Sequence, residues 1–198
     1  MIDKALDFLQ KEMNAFLADR TQTTDTSIMR VQLEPPIKTD GQVNADHTNN
    51  VFMSLVKVEE ERMGKKQSPY PEVYGPGKED LINPAIKLNL FILFSAHFSN
   101  YRESLKYLYL VIAFFQRKNV FLAEEYVDLD PAIEKIIMDL YSPTFEQQNH
   151  LWGTLGAKYQ PSALYKLRLL AIDEQVPVGH APPILETHLT QLESIPDG

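Results

Sequence analysis

The segment from Leu88 to Asn119, LNLFILFSAHFSNYRESLKYLYLVIAFFQRKN, limits what this chain can fold into more than any other. From Leu90 to Phe94 five bulky apolar residues follow one another. The run has the length of a strand and is apolar on both faces, as a central strand covered on each side must be. Asn100 then supplies an N-cap, and with Glu103 at N3 the pair resembles a capping box with Asn in place of Ser or Thr. In the helix that follows, Tyr101, Leu105, Leu108, Ile112 and Phe115 recur at spacings of four, three, four and three, which is one helical face and the one expected to meet the core. Tyr107, Leu110, Val111 and Phe114 fill the other side, so YLYLVIAFF carries no charge.

A large apolar side chain left in water forgoes roughly 1.5 to 3 kcal/mol, and a whole domain is stable by only about 5 to 15 kcal/mol. The back of this helix is therefore expected to be covered, either by the rest of the chain or by another subunit. A membrane fits less well. A spanning helix needs about 20 apolar residues, and Lys106 with Gln116, Arg117 and Lys118 bounds this one.

The remaining chain supplies elements to pack against. With 198 residues and 44% hydrophobic content, one core-bearing domain plus an arm is the expectation. Ile2, Leu6, Leu9, Met13, Phe16 and Leu17 predict an amphipathic helix over 2–18. Ile28 to Leu33 alternates as a half-buried strand stopped by Pro35 and Pro36, and Val51 to Glu60 reads as the next strand, so the two suggest a hairpin with a long loop. Gly64 to Lys78 holds three prolines and three glycines and reads as a long loop. Ile133, Ile136, Ile137, Leu140 and Tyr141 match a helix by period, although IIMDLY is also a good strand by propensity. Thr144 with Gln147 is a capping-box signature for a short helix to Leu155, closed by Gly156 and anchored by Trp152. Ala163 to Ile172 alternates as a strand. From Asp173 onward four prolines in 26 residues indicate an arm, giving boundaries of 1–172 for the domain and 173–198 for the arm.

Chemistry is hard to find in this sequence. The net charge of −8 argues against a nucleic-acid groove. The absence of cysteine excludes disulfides, thiolate zinc sites and a thiol nucleophile. MIDKALDFLQKEM has acids within its apolar segment and does not read as a signal peptide, and no transmembrane segment is evident. His47, His97, His150, His180 and His188 show no metal-ligand spacing, and His97 reads as a structural histidine. Gly75, Gly77 and Lys78 lack the G-x-x-x-x-G-K-S/T spacing of a phosphate loop. The acids at Glu59 to Glu61, Glu124, Glu125, Asp128 and Asp130 read as solvated faces. No catalytic, cofactor-binding or metal residue is assigned, and the chain reads as an α+β domain without a legible active site.

Two long stretches carry a family resemblance. NPAIKLNLFILFSAHFSNYRESLKYLYLVIAFFQRK and SPTFEQQNHLWGTLGAKYQPSALYKLRLLAI resemble the tail-terminator, or cap, proteins of contractile injection systems, the phage-tail-like particles of the antifeeding-prophage and Photorhabdus-virulence-cassette type. The resemblance covers residues 2 to 172 and is most specific from Asn83 to Leu170. It implies an α+β fold, a twisted and mostly antiparallel sheet flanked by helices, to which the composition adds an extended C-terminal arm. It also implies a strand, not a helix, before the Trp152 helix.

The function implied is structural and non-enzymatic: a homo-hexameric ring that ends the inner tube and contractile sheath, with the tube protein, the sheath protein and its own copies as partners. No cofactor, nucleic acid or membrane span is implied. Synthesis would be cytoplasmic, within a particle that is released or membrane-anchored. The candidate contact residues are Tyr107, Leu110, Val111 and Phe114 on the back of the central helix, Pro69, Tyr70, Tyr74 and Lys78 in the long loop, and Val176, Val178, Ile184 and Leu192 in the arm. Two other readings stand beside it: an adaptor that binds a peptide or membrane component through the arm, and a small-ligand domain with a pocket under the Gly64 to Lys78 loop.

Overall fold

The structure is a computed structural model of the chain. It describes residues 1–21, 29–38, 44, 49–61 and 86–168 in full, and residues 70–73, 79–82, 169–172 and 177–181 through their backbone. The elements in order are α1 (Ile2–Thr21), β1 (Val31–Gln32), β2 (Asn50–Glu60), β3 (Tyr70–Val73), β4 (Glu79–Ile82), β5 (Ile86–His97), α2 (Tyr101–Arg117), β6 (Val120–Leu122), β7 (Lys135–Tyr141), α3 (Phe145–Thr154), β8 (Ser162–Ile172) and β9 (Pro177–Ala181). They fall into two compact units. Met1–Met63 with Ile86–Ile172 form the larger, and Gly64–Ala85 with Asp173–Gly198 the smaller.

The larger unit is built on a six-stranded sheet of order β1-β2-β5-β8-β7-β6, antiparallel except between β1 and β2. The apolar run expected at its centre is there. β5 pairs with β2 from Asn50↔His97 to Glu60↔Leu88 and with β8 from Ile86↔Ile172 to Ser95↔Ser162. Pairing on both sides satisfies its backbone polar groups, and every side chain from Asn89 to Ala96 is buried. The mixed fold of helices and a mostly antiparallel sheet is the one expected.

On one face of this sheet α1 and α2 bury Leu90, Ile92 and Phe94 of β5 together with Val51, Met53, Tyr165, Leu167, Ile136 and Met138. α1 contributes Ala5, Leu6, Phe8, Leu9, Met13 and Leu17. It also covers the β1 edge. Asn14 accepts from the Val31 N–H at Oδ1 (2.9 Å) and donates through Nδ2 to the Val31 carbonyl (3.0 Å), while Gln10 Nε2 donates to the same carbonyl (2.9 Å). Side-chain amides thus stand where another strand would pair, a means of closing an otherwise open edge.

The opposite face is covered differently. Trp152 of α3 packs on Phe91, Leu93 and Leu164. The capping box is formed as expected, with Thr144 Oγ1 accepting from the Gln147 N–H (3.2 Å) and the Thr144 N–H donating to Gln147 Oε1 (2.9 Å). Gly156 ends α3 at φ 66°, where Ala157 N–H reaches the Trp152 carbonyl and Gly156 N–H the Gly153 carbonyl, both at 3.1 Å. This is a Schellman closure, which needs the left-handed residue. Beyond α3 the face turns ionic: Lys57 lies 5.0 Å and Lys166 5.9 Å from the Phe91 ring centre, and Lys57–Glu59 (2.6 Å) and Arg168–Asp139 (2.7 Å) pair across or along strands.

Two sequence expectations need correction here, and one choice between helix and strand is decided. The hairpin expected of the first two strands is a parallel pair, Val31↔Val51 and Gln32↔Phe52. Parallel strands need a crossover of roughly a dozen residues or more, and the chain from Leu33 to Asn49 provides it. The first of these strands is also short, since only Val31 and Gln32 pair and Met29 is exposed. Residues 135–141 form a strand, as the resemblance required and against the helical period, because only Ile136 and Met138 of that segment are fully buried and they alternate.

The smaller unit contains an antiparallel sheet of order β3-β4-β9. Tyr70↔Ile82 through Val73↔Glu79 joins β3 to β4, and Glu79↔Ala181 through Ile82↔Pro177 joins β4 to β9. Segments read from sequence as loop and arm therefore hold strands. Pro71 and Pro177 lie on the two outer strands of this sheet, where a missing N–H is tolerated.

Candidate assembly surface

Helix α2 is positioned by its two ends. Asn100 Oδ1 accepts from the Arg102 N–H at 3.0 Å, and the Lys118 N–H closes the last turn on the Phe114 carbonyl at 3.1 Å. Glu103 lies 3.6 Å from Lys106, one turn along the helix. The rotation of α2 is set by aromatic packing: Tyr107 stacks on Phe98 at 4.4 Å, Phe114 meets Phe16 at 5.4 Å, and Phe115 lies 4.5 Å from Tyr165.

That rotation reverses the expected orientation. Tyr107, Val111 and Phe114, read as the back of the helix, are buried in the core of their own chain, and Leu110 is half-buried against it. Of the face expected to meet the core, only Phe115 is buried and Leu108 half-buried. Tyr101 is 63%, Leu105 45% and Ile112 37% exposed, and Tyr109, which no face had claimed, is 67% exposed. An all-apolar helix offers two solutions to the three-four spacing, and the Phe98–Tyr107 stack selects one.

The exposed stripe has unlike borders. On the solvent side, at 100° per residue, it is flanked by Arg102, Lys106 and Arg117, all exposed. On the sheet side Ile112 lines two adjoining hollows. One, of about 270 Å³, lies between α2 and β7 and also touches Met138, Leu140 and Tyr165. The other, of about 290 Å³, continues past Leu140 and Tyr141 to Trp152 and Tyr159. Leu140 and Tyr159 are exposed there.

The loop between β6 and β7 has the opposite character. Lys118 Nζ holds Glu125 at 2.6 Å, Lys11 Nζ holds Asp128 at 2.6 Å, and Lys4 Nζ holds Asp130 at 2.5 Å. Hydrogen bonding to these carboxylates raises all three lysine pKa values, and the Lys4 bond lowers that of Asp130. Between the tethers Val127 is fully exposed, and Glu124 beside it has no ion-pair partner among the described residues. Nothing in the composition singled out Val127. Its exposure follows from the tethers on either side.

The other expected contact residues are less fully placed. Tyr70 lies in β3 and Val178 in β9, so one sheet brings together the loop and the arm. Pro69, Tyr74, Lys78, Val176, Ile184 and Leu192 lie outside the described residues. His97 Nδ1 lies 2.9 Å from Gln160 Nε2, a structural role. Among the described residues no three His, Cys, Asp or Glu side chains are grouped to hold a metal ion, and no helix is long and apolar enough to cross a membrane.

Residues 5–186 match the Pvc16 N-terminal domain family, and the chain belongs to that family. Among solved structures it is similar to the sheath/tube terminator of the PVC extracellular contractile injection system in its extended state, with a TM-score of 0.61 and 14% identity over 100% of this chain and 65% of that one. It also matches the tube-terminating cap of the anti-feeding prophage, with a TM-score of 0.47 and 12% identity over 94% of this chain and 60% of that one. At such identity the first likeness is one of fold. This chain thus spans about 65% of the length of that terminator. No curated protein matches.

Proposed function

We propose that this chain is a structural terminator, which seats as a ring on the last subunits of an inner tube and contractile sheath and stops both from growing. Family membership across residues 5–186 carries the reading, and the terminator fold over the whole chain supports it. The protein is made in the cytoplasm and acts within an injection particle, with the tube protein, the sheath protein and five further copies of itself as partners. It has no catalytic role. A terminator works by matching the exposed end of a polymer without repeating that polymer's growing face, and a head-to-tail ring closes when the rotation between copies does.

Within this reading the larger unit makes the ring. The smaller unit, with Tyr70 and Val178 in its sheet and Pro69, Tyr74, Lys78, Val176, Ile184 and Leu192 in its sequence, meets tube or sheath. The test is to add the purified chain to polymerising tube protein and measure tube lengths by electron microscopy. Tubes should shorten as the ratio of chain to tube protein rises, each bearing a ring at one end. An unchanged length distribution with bare ends refutes the proposal.

A further inference from the structure

We infer that the outer side of α2 receives the β6–β7 loop of a second copy of this chain, so that successive copies join head to tail through Val127. The inference rests on the terminator reading and names the surface by which the ring closes. Two patches on one molecule are both apolar, and the charges left unpaired at their borders among the described residues, Arg102 and Arg117 on one and Glu124 on the other, are opposite. The receiving patch is the stripe Tyr101, Leu105, Tyr109 and Ile112, bordered by Arg102, Lys106 and Arg117. The entering patch is a single apolar side chain, Val127 at 103% exposure, bordered by this Glu124 and by Glu125 and Asp128, which Lys118 and Lys11 already hold.

The free charges are opposite in sign. Arg102 and Arg117 have no ion-pair partner among the described residues, nor has Glu124. A chain with a net charge of −8 that lines one helix with cations has placed them against the average of its own surface. An acidic partner is what such a row recognises, and complementary charge of this kind mainly fixes which surface meets which.

The loop cannot cover the N-terminal half of the stripe on its own helix. Lys118 just past the C-terminal end of α2 holds Glu125, and Lys11 and Lys4 draw the following residues onto α1. α2 is about 25 Å long, so Tyr101 and Leu105 at its other end lie far beyond the reach of Val127 in the same copy. Two different patches that satisfy each other only between copies make a heterologous contact, the kind that builds rings or filaments.

Two singly disabled chains test this. One carries Leu105→Asp and Tyr109→Asp, the other Val127→Asp with Glu124→Lys. All four side chains are exposed, so each variant should keep the wild-type far-ultraviolet circular dichroism and melting temperature. By light scattering each alone should remain at the 22.7 kDa of one chain. An equimolar mixture retains one intact contact per pair and should give a dimer of about 45 kDa that grows no further. If the wild-type chain forms rings and either folded variant does so equally, or if the mixture stays monomeric, the contact is overturned while the ring stands. A wild-type chain that caps tubes in the assay above but never self-associates, on or off the tube, overturns both contact and ring. Failure to cap tubes refutes the terminator reading itself.

Discussion

On its inner side α2 presents Tyr107, Val111, Phe114 and Phe115 to α1 and the sheet, and on its outer side Tyr101, Leu105, Tyr109 and Ile112 to solvent. The two sets are nearly equal in size and aromatic content. One is consumed by the fold and the other is left over. Full burial of one such side chain contributes roughly 1.5 to 3 kcal/mol, and the outer four are 37% to 67% exposed, so together they hold back about 3 to 6 kcal/mol, near the lower end of a whole domain's stability. An exposed apolar stripe of this kind is a candidate contact site, and on the proposed assembly the difference between the sides separates what the chain needs to fold from what it would use to assemble.

Substitutions that respect this division should have sharply different effects. Phe115→Ala on the inner side removes a ring packed on Phe94, Phe114 and Tyr165. It should lower the unfolding free energy by about 3 to 5 kcal/mol, read from urea denaturation, and assembly should fail only because the fold does. Asn100→Ala takes the cap from both sides alike and should lower stability by about 1 kcal/mol while leaving the assembled mass unchanged. Tyr109→Asp on the outer side should move the unfolding free energy by less than about 0.5 kcal/mol and yet abolish self-association. An outer substitution that unfolds the chain, or an inner one that spares the fold and breaks only assembly, breaks the comparison.

Two changes of solution conditions sharpen it further. Burial raises the pKa of the Tyr165 hydroxyl from 10.0 to about 12. The folded chain therefore holds this proton more tightly than the unfolded one, so the contribution to stability is complete below pH 10 and is lost as pH rises from about 10 to 12. In a series of denaturation curves across that window, Tyr165→Phe should decline less steeply than wild type. The outer contact, by contrast, should respond to salt at neutral pH. Its exposed charges are screened over about 10 Å at 0.1 M ionic strength, so raising salt should weaken self-association modestly and leave the melting temperature nearly unchanged.

What could be read in the sequence was whatever is decided locally. The Thr144 cap, the glycine after α3 and the unbroken apolar run of β5 each depend on a few neighbouring residues, and all are present. The side of α2 that faces inward depends on Phe98, Phe16 and Tyr165, residues that lie outside the helix. No period within the helix encodes that choice. Parallel pairing of β1 with β2 is likewise a property of where the chain returns, and β3, β4 and β9 are four or five residues each, two of them holding proline. For β7 the helical count failed because Ile137 and Leu140 lie outside the buried set, leaving the alternation of Ile136 and Met138 as the true signal.

The surface itself was half legible. The excess of apolar side chains on α2 is evident from YLYLVIAFF, but the helical period alone turns its exposed members inward and its buried members outward. Val127 carried no signal at all, since one valine among acids is ordinary until its tethers are seen.

The most direct measurement is a cryo-EM map of the capped end of a tube, at a resolution that shows side chains. The separation of folding from assembly predicts a ring in which Tyr101, Leu105 and Tyr109 of each copy lie against Val127 of the next, with Tyr107, Val111 and Phe114 packed within their own chain. A ring whose α2 stripe faces solvent, or whose copies meet through another surface, would contradict it.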